Sequence, residues 1–200
     1  MLFKKMFLGK MKLIYSFIFL NLLFINGCST KSNNYITLIE DEKEINASFI
    51  PINQDYAVTV KHIPKHPDYV YISGKYDIQF FEHKTPKSQV PIFSNYKENE
   101  KIFFTGYFNG IYNEIESEIL DINVNTNTSS IPVYKAGIGT IKPGMSGGAV
   151  LNSERKVIGM NIGFTTELIY HNNEYKKMSI FVPYEIIKKE WNKYLTLKKQ

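Results

Sequence analysis

From residue 35 to 182 the chain is a succession of short β-branched or aromatic runs separated by Pro, Gly and polar residues, and no helical period is sustained before Pro183. That pattern restricts the fold more than any other feature. Runs of this kind between turn residues are strands, and without amphipathic helices between them they do not build an α/β sheet. They fall at 36–39, 47–52, 56–60, 69–73, 78–81, 102–107, 115–124, 131–134, 150–151, 157–162 and 178–182. The expectation is an all-β sandwich or barrel, with the polar run at 125–130 linking two halves and 171–174 forming a hairpin tip. Beyond Pro183, residues 184–197 predict one helix. Ile187, Trp191 and Leu195 form its apolar stripe for packing on the barrel, while Lys188, Lys189, Lys193, Lys198 and Lys199 mostly face away.

The first 27 residues read differently. Lys4, Lys5, Lys10 and Lys12 precede a largely apolar run from 13 to 25, interrupted by Ser16 and Asn21 and followed by Gly27 and Cys28. A charged start, a short apolar stretch and a small residue before a cleavage point describe a secretory signal, and the run is short for a membrane-spanning helix. Of the 24 Lys and Arg, four lie in this leader against none of the 19 acids, so the remainder carries 20 basic against 19 acidic residues. The basic balance therefore does not argue for a nucleic-acid partner. Cys28 is the single cysteine, which leaves the folded body without a disulfide, a cysteine-rich zinc site or a thiol nucleophile. Ile25-Asn26-Gly27-Cys28 resembles the lipobox of bacterial lipoproteins, although Asn26 is an unusual occupant. The resemblance implies lipidation of Cys28, a polar tether at 28–34, and a domain held at the membrane of a bacterial cell envelope.

The chemistry concentrates at Gly144-Met145-Ser146-Gly147-Gly148. Such a turn can present the Ser146 hydroxyl while aiming the backbone N–H groups around Gly144, Met145 and Ser146 at one point, as a nucleophile beside an oxyanion hole requires; the alternative is a Gly-rich β-turn without chemistry. A base and a group to orient it are then needed. His62 ends the run Val58-Thr59-Val60-Lys61-His62, and Asp77 heads Asp77-Ile78-Gln79-Phe80-Phe81. Asp68 competes as the acid, but it follows Pro67 in a loop and heads no strand.

Together these segments resemble the catalytic motifs of chymotrypsin-fold (trypsin-like) serine proteases, in that family's order of His, Asp and Ser. The α/β-hydrolase and subtilisin orders are different. Phe104-Thr105-Gly106-Tyr107-Phe108-Asn109-Gly110 looks like a strand and turn of the first barrel. Val157-Ile158-Gly159-Met160-Asn161-Ile162-Gly163 and Phe181-Val182-Pro183-Tyr184-Glu185-Ile186-Ile187 are similar to the cleft strand and closing segment of high-temperature-requirement (Deg-type) proteases. With nothing after Gln200 to form the PDZ domain those proteases append, the expectation is a protease domain alone.

The resemblance implies two six-stranded antiparallel β-barrels, about 35–125 and 130–183, with a C-terminal helix against the second. It implies peptide hydrolysis through an acyl-enzyme, with no cofactor or metal and a protein or peptide as substrate. It places a specificity pocket at Thr140, near Ile138 and Ile141, with Met160, Asn161, Ile162 and Gly163 as the opposite wall. None of these is charged, so small or medium uncharged residues are expected before the cut. Lys61, Gln79 and the fifteen-residue interval from His62 to Asp77 depart from the family pattern. They favour an alternative, a non-catalytic peptide- or protein-binding module on the same fold.

Overall fold

The computed structural model describes residues 34–40, 43–124, 134–139, 141–170 and 174–200. Cys28, Thr140 and the loop at 125–130 lie outside the described residues. Six strands make an N-terminal lobe: β1 (Tyr35–Glu40), β2 (Lys43–Ser48), β3 (Ile50–Pro51), β4 (Tyr56–Thr59), β5 (Tyr69–Ile72) and β6 (Gln79–Glu82). Six more follow: β7 (Lys101–Phe108), β8 (Ile111–Val124), β9 (Tyr134–Ile138), β10 (Ala149–Asn152), β11 (Val157–Tyr170) and β12 (Glu174–Pro183). Helix α1 (Tyr184–Leu197) comes last.

Strands β7 to β12 close into an antiparallel barrel in the order β10-β11-β12-β9-β8-β7, with Val150 opposite Phe104 where it shuts. Closure removes the unpaired edges that an open sheet would carry. The six N-terminal strands divide instead into a four-stranded sheet, β3-β4-β6-β5, and a β1-β2 ribbon. The division between lobes therefore lies between Glu82 and Lys101, not near 125–130. Strands β8 and β9, on either side of that polar run, are neighbours in one barrel. A polar run marks a connection, but its composition does not say whether it joins two lobes or two adjacent strands.

Local chemistry accounts for the framework. Asn109 and Gly110 have φ of 49° and 72°, the two positive values that a tight hairpin between twisted strands requires, and they join β7 to β8. Strand β12 alternates by period two: Phe181 points into the barrel with Phe104, Ile119 and Ile158, while Ile180 and Val182 face the other way. These outward residues meet Val58, Val60, Ile78 and Phe80 of the first lobe in one shared core.

Helix α1 belongs to that shared core rather than to the second barrel alone. It buries Ile187, Glu190 and Tyr194, whereas Leu195 is exposed, so the stripe is rotated from the expected one. Trp191 packs on Tyr56 and Phe80 of the first lobe at ring separations of 5.1 and 5.2 Å. The Tyr71 hydroxyl donates to buried Glu190 at 2.8 Å.

Candidate active site

The path to the site begins at Ser73, just after β5. Its hydroxyl accepts the N–H groups of Lys75 and Tyr76, and its own N–H donates to the Ile78 carbonyl at 3.0 Å, which compacts the turn before β6. Asp77 emerges from that turn facing the end of β4. One carboxylate oxygen accepts the backbone N–H groups of Lys61 at 2.7 Å and His62 at 2.9 Å. The other lies 2.5 Å from His62 Nδ1. A carboxylate oxygen only accepts, so Nδ1 carries the proton and Nε2 is left as the basic nitrogen. The His62 side chain is 46% exposed and that of Asp77 18% exposed, so the imidazole opens to solvent while its partner is shielded.

Two residues that depart from the family pattern brace this arrangement. Lys61 turns its ammonium to the Ser73 carbonyl at 3.0 Å, tying the end of β4 to the Asp77 turn. Gln79 is 1% exposed; its amide donates to the Val60 carbonyl at 2.8 Å and accepts the His66 N–H at 3.1 Å. It therefore spans both ends of the segment that carries His62. The short interval from His62 to Asp77 is a compact turn.

Around Ser146, the hydrogen bonds leave a specific remainder. The Met145 N–H donates to the Lys142 carbonyl, that of Gly147 to Asn161, and that of Gly148 to Met145. Pro143 has no N–H. Among the described residues the N–H groups of Gly144 and Ser146 alone in the run 143–148 donate to no protein acceptor. The turn needs its glycines. Gly144 has φ of 89°, and a Cβ there would stand 2.8 Å from the Tyr107 carbonyl oxygen. Gly147 has φ of 86°, and a Cβ would stand 1.9 Å from the Ser48 carbonyl oxygen.

His62, Gly144 and Ser146 line one cavity of about 400 Å³, together with Ile63, Asn109, Pro143 and the β2 residues Glu44, Ile45 and Asn46. The cavity thus gathers side chains from both lobes. The β2 residues and Asn109 were not anticipated from the sequence. Only the Asn109-Gly110 turn signal pointed to a loop tip there.

The expected specificity wall is placed differently. Met160 and Asn161 are 0% exposed and Ile162 is 8% exposed, so none of the three offers a side-chain wall to a bound peptide. Met160 and Ile162 belong to the shared core, and Asn161 brackets the serine turn from behind through bonds to Gly147 and Gly148. A β-bulge between Asn161 and Gly163 breaks the period-two alternation at this point. Gly163 does face open space, and Phe164 beside it is 46% exposed. Ile141 is buried inside the barrel.

No protein-family model matches the chain, and no curated protein matches it by sequence. Solved structures do match by shape. The HtrA-type protease AlgW with a decapeptide superposes with a TM-score of 0.61 at 12% identity, over 76% of this chain and 51% of that one. This chain thus spans about half the length of that neighbour. The active form of the Rv3671c protease from M. tuberculosis gives 0.59 at 15% identity, covering 74% of each chain. The MamO protease domain from Magnetospirillum magneticum gives 0.55 at 13%, covering 73% of this chain and 87% of that one. At such identities likeness speaks for architecture: the chain has the trypsin-like fold of HtrA-type protease domains.

Proposed function

We propose that this protein is a serine endopeptidase. Ser146 attacks the peptide carbonyl, His62 Nε2 takes the proton and returns it to the leaving amine, and Asp77 holds the imidazole in the required tautomer. The N–H groups of Gly144 and Ser146 receive the oxyanion. The observation that carries the reading is the selectivity of the turn: its other N–H groups are paired, and the two left over are those an oxyanion hole uses. They border the cavity that His62 lines. The fold neighbour AlgW was solved with a decapeptide, which supports a peptide as the substrate class.

The residues that favoured a non-catalytic module support this reading instead. Lys61 and Gln79 brace the His62 and Asp77 segments, and the short interval delivers a carboxylate to three donors. A fluorophosphonate probe, which reacts with activated serines, tests the proposal. The wild type should label, whereas Ser146→Ala and His62→Ala should lose labelling and peptide hydrolysis by several orders of magnitude. Equal labelling of wild type and His62→Ala would overturn it.

We further propose that Cys28 is lipidated and that the domain works outside the cytoplasmic membrane, tethered to a leaflet. The support is the leader and the lipobox-like Ile25-Asn26-Gly27-Cys28. A clickable fatty acid should label the wild type and not Cys28→Ala. Labelling that survives the substitution would reject the anchor.

A further inference from the structure

Ser48, at the end of β2, is 1% exposed and reaches the serine turn by two routes. Its backbone N–H donates to the Ser146 carbonyl at 2.8 Å. Its hydroxyl stands 3.0 Å from the Gly144 carbonyl oxygen and 2.8 Å from the Tyr107 nitrogen. The Tyr107 N–H can only donate, so it occupies a lone pair of Ser48 Oγ. The hydroxyl proton is then directed to Gly144, and the chain of bonds runs one way, from Tyr107 through Ser48 to the Gly144 carbonyl.

That carbonyl belongs to the peptide joining Gly144 to Met145. A peptide is planar, so fixing its carbonyl fixes the opposing Met145 N–H, which bonds the Lys142 carbonyl at 3.1 Å. This plane lies between the two peptides that carry the unpaired N–H groups of Gly144 and Ser146. Rotating it turns those donors relative to each other. Gly144, at φ of 89° and without a Cβ, has little intrinsic resistance to such a rotation.

We propose that Ser48 is a positioning residue, whose hydroxyl locks the Gly144–Met145 peptide so that the two oxyanion donors converge. The inference rests on the endopeptidase reading above. It also gives the β1-β2 ribbon a task, since it carries the Ser48 hydroxyl to a turn almost a hundred residues further along the chain. Preorganised donors act on charge that develops only in the transition state. Loss of the hydroxyl should therefore slow acylation and leave binding of the intact peptide nearly unchanged.

The test compares Ser48→Ala with Thr59→Val, in steady-state peptide hydrolysis and in the rate of fluorophosphonate labelling. Thr59 donates its hydroxyl to the Ser48 carbonyl at 2.7 Å, so Thr59→Val removes a buried bond to the same residue while leaving the Gly144 peptide held. Removing one oxyanion donor outright costs about 10²–10³ in kcat, so misdirecting them should lower kcat and labelling roughly 10- to 100-fold for Ser48→Ala. KM should stay within about threefold, and Thr59→Val should keep kcat despite lower thermal stability. If Ser48→Ala does not fold, Ser48→Cys, which keeps a weaker donor, should show the same pattern with a smaller loss. Equal losses in the Ser48 and Thr59 variants, an effect confined to KM, or an unchanged kcat would overturn the proposal. A wild type that neither labels nor hydrolyses peptides would remove the endopeptidase reading and this one with it. A wild type that labels no faster than Ser48→Ala would remove the role of Ser48 alone.

Discussion

Asp77 accepts hydrogen bonds from the Lys61 and His62 N–H groups and from the imidazole, and the two backbone donors matter as much as the ring. By holding the N–H groups of Lys61 and His62, one oxygen fixes the backbone that carries the imidazole, and the second meets the ring at Nδ1. An amide in its place keeps the shape but offers a donor as well as an acceptor. If its oxygen stays on the backbone N–H groups, its NH₂ faces Nδ1 and favours the tautomer with the proton on Nε2. On the endopeptidase reading proposed above, Asp77→Asn should therefore remain folded and lose about 10⁴ in kcat, the scale of an Asp-to-Asn change in a Ser-His-Asp triad. Thermal melts alongside initial rates check it. A loss of less than about tenfold in a folded variant would mean that Asp77 serves the backbone alone.

The β5–β6 hairpin delivers Asp77 at one end and carries a different pair of titratable groups toward the other. His66 stacks on Phe81 with ring centres 4.0 Å apart, and His83 meets Phe49 edge-on at 4.6 Å. Burial holds both below the ordinary histidine range. For His66, nearby Asp68 opposes that effect and the charge of His83 adds to it. A depressed native pKa means that the unfolded chain binds protons first as pH falls. Stability from these residues is thus fully present above the unfolded value near 6.5 and is lost as pH drops through that value toward the native ones. Melting temperature should fall between about pH 7.5 and 5, and His66→Gln with His83→Gln should flatten that fall. Matching slopes for wild type and the double variant would show that other groups control the acid limb.

At the scale of the whole molecule, the shared core and α1 hold two unlike lobes together around the cavity. Tyr56, Tyr71 and Phe80 on one side meet Trp191 and Tyr194 on the helix, and burying a side chain of this size contributes roughly 1.5–3 kcal/mol. Features of local origin were legible in the sequence. The strand-rich architecture follows from the spacing of β-branched and aromatic runs, and the terminal helix from a change of period after Pro183. The serine turn follows from glycines whose positive φ few other residues tolerate. His62 and Asp77 were legible as a pair because each stands at the edge of a strand. What depends on which strand meets which was not legible. The sequence placed the lobe division in a polar loop, whereas pairing puts β8 and β9 in one barrel. It aimed Met160, Asn161 and Ile162 at a substrate, whereas a bulge between Asn161 and Gly163 sets the alternation aside and the three are buried. Ser48 carried no signal at all, because the serine at the end of β2 meets the Gly144 carbonyl only when folding brings the two together. Backbone torsion and hydrophobic period are properties of neighbours in sequence, so the chain by itself determined them. Register, burial and the partners of a hydroxyl are properties of neighbours in space, and only the tertiary structure decided those.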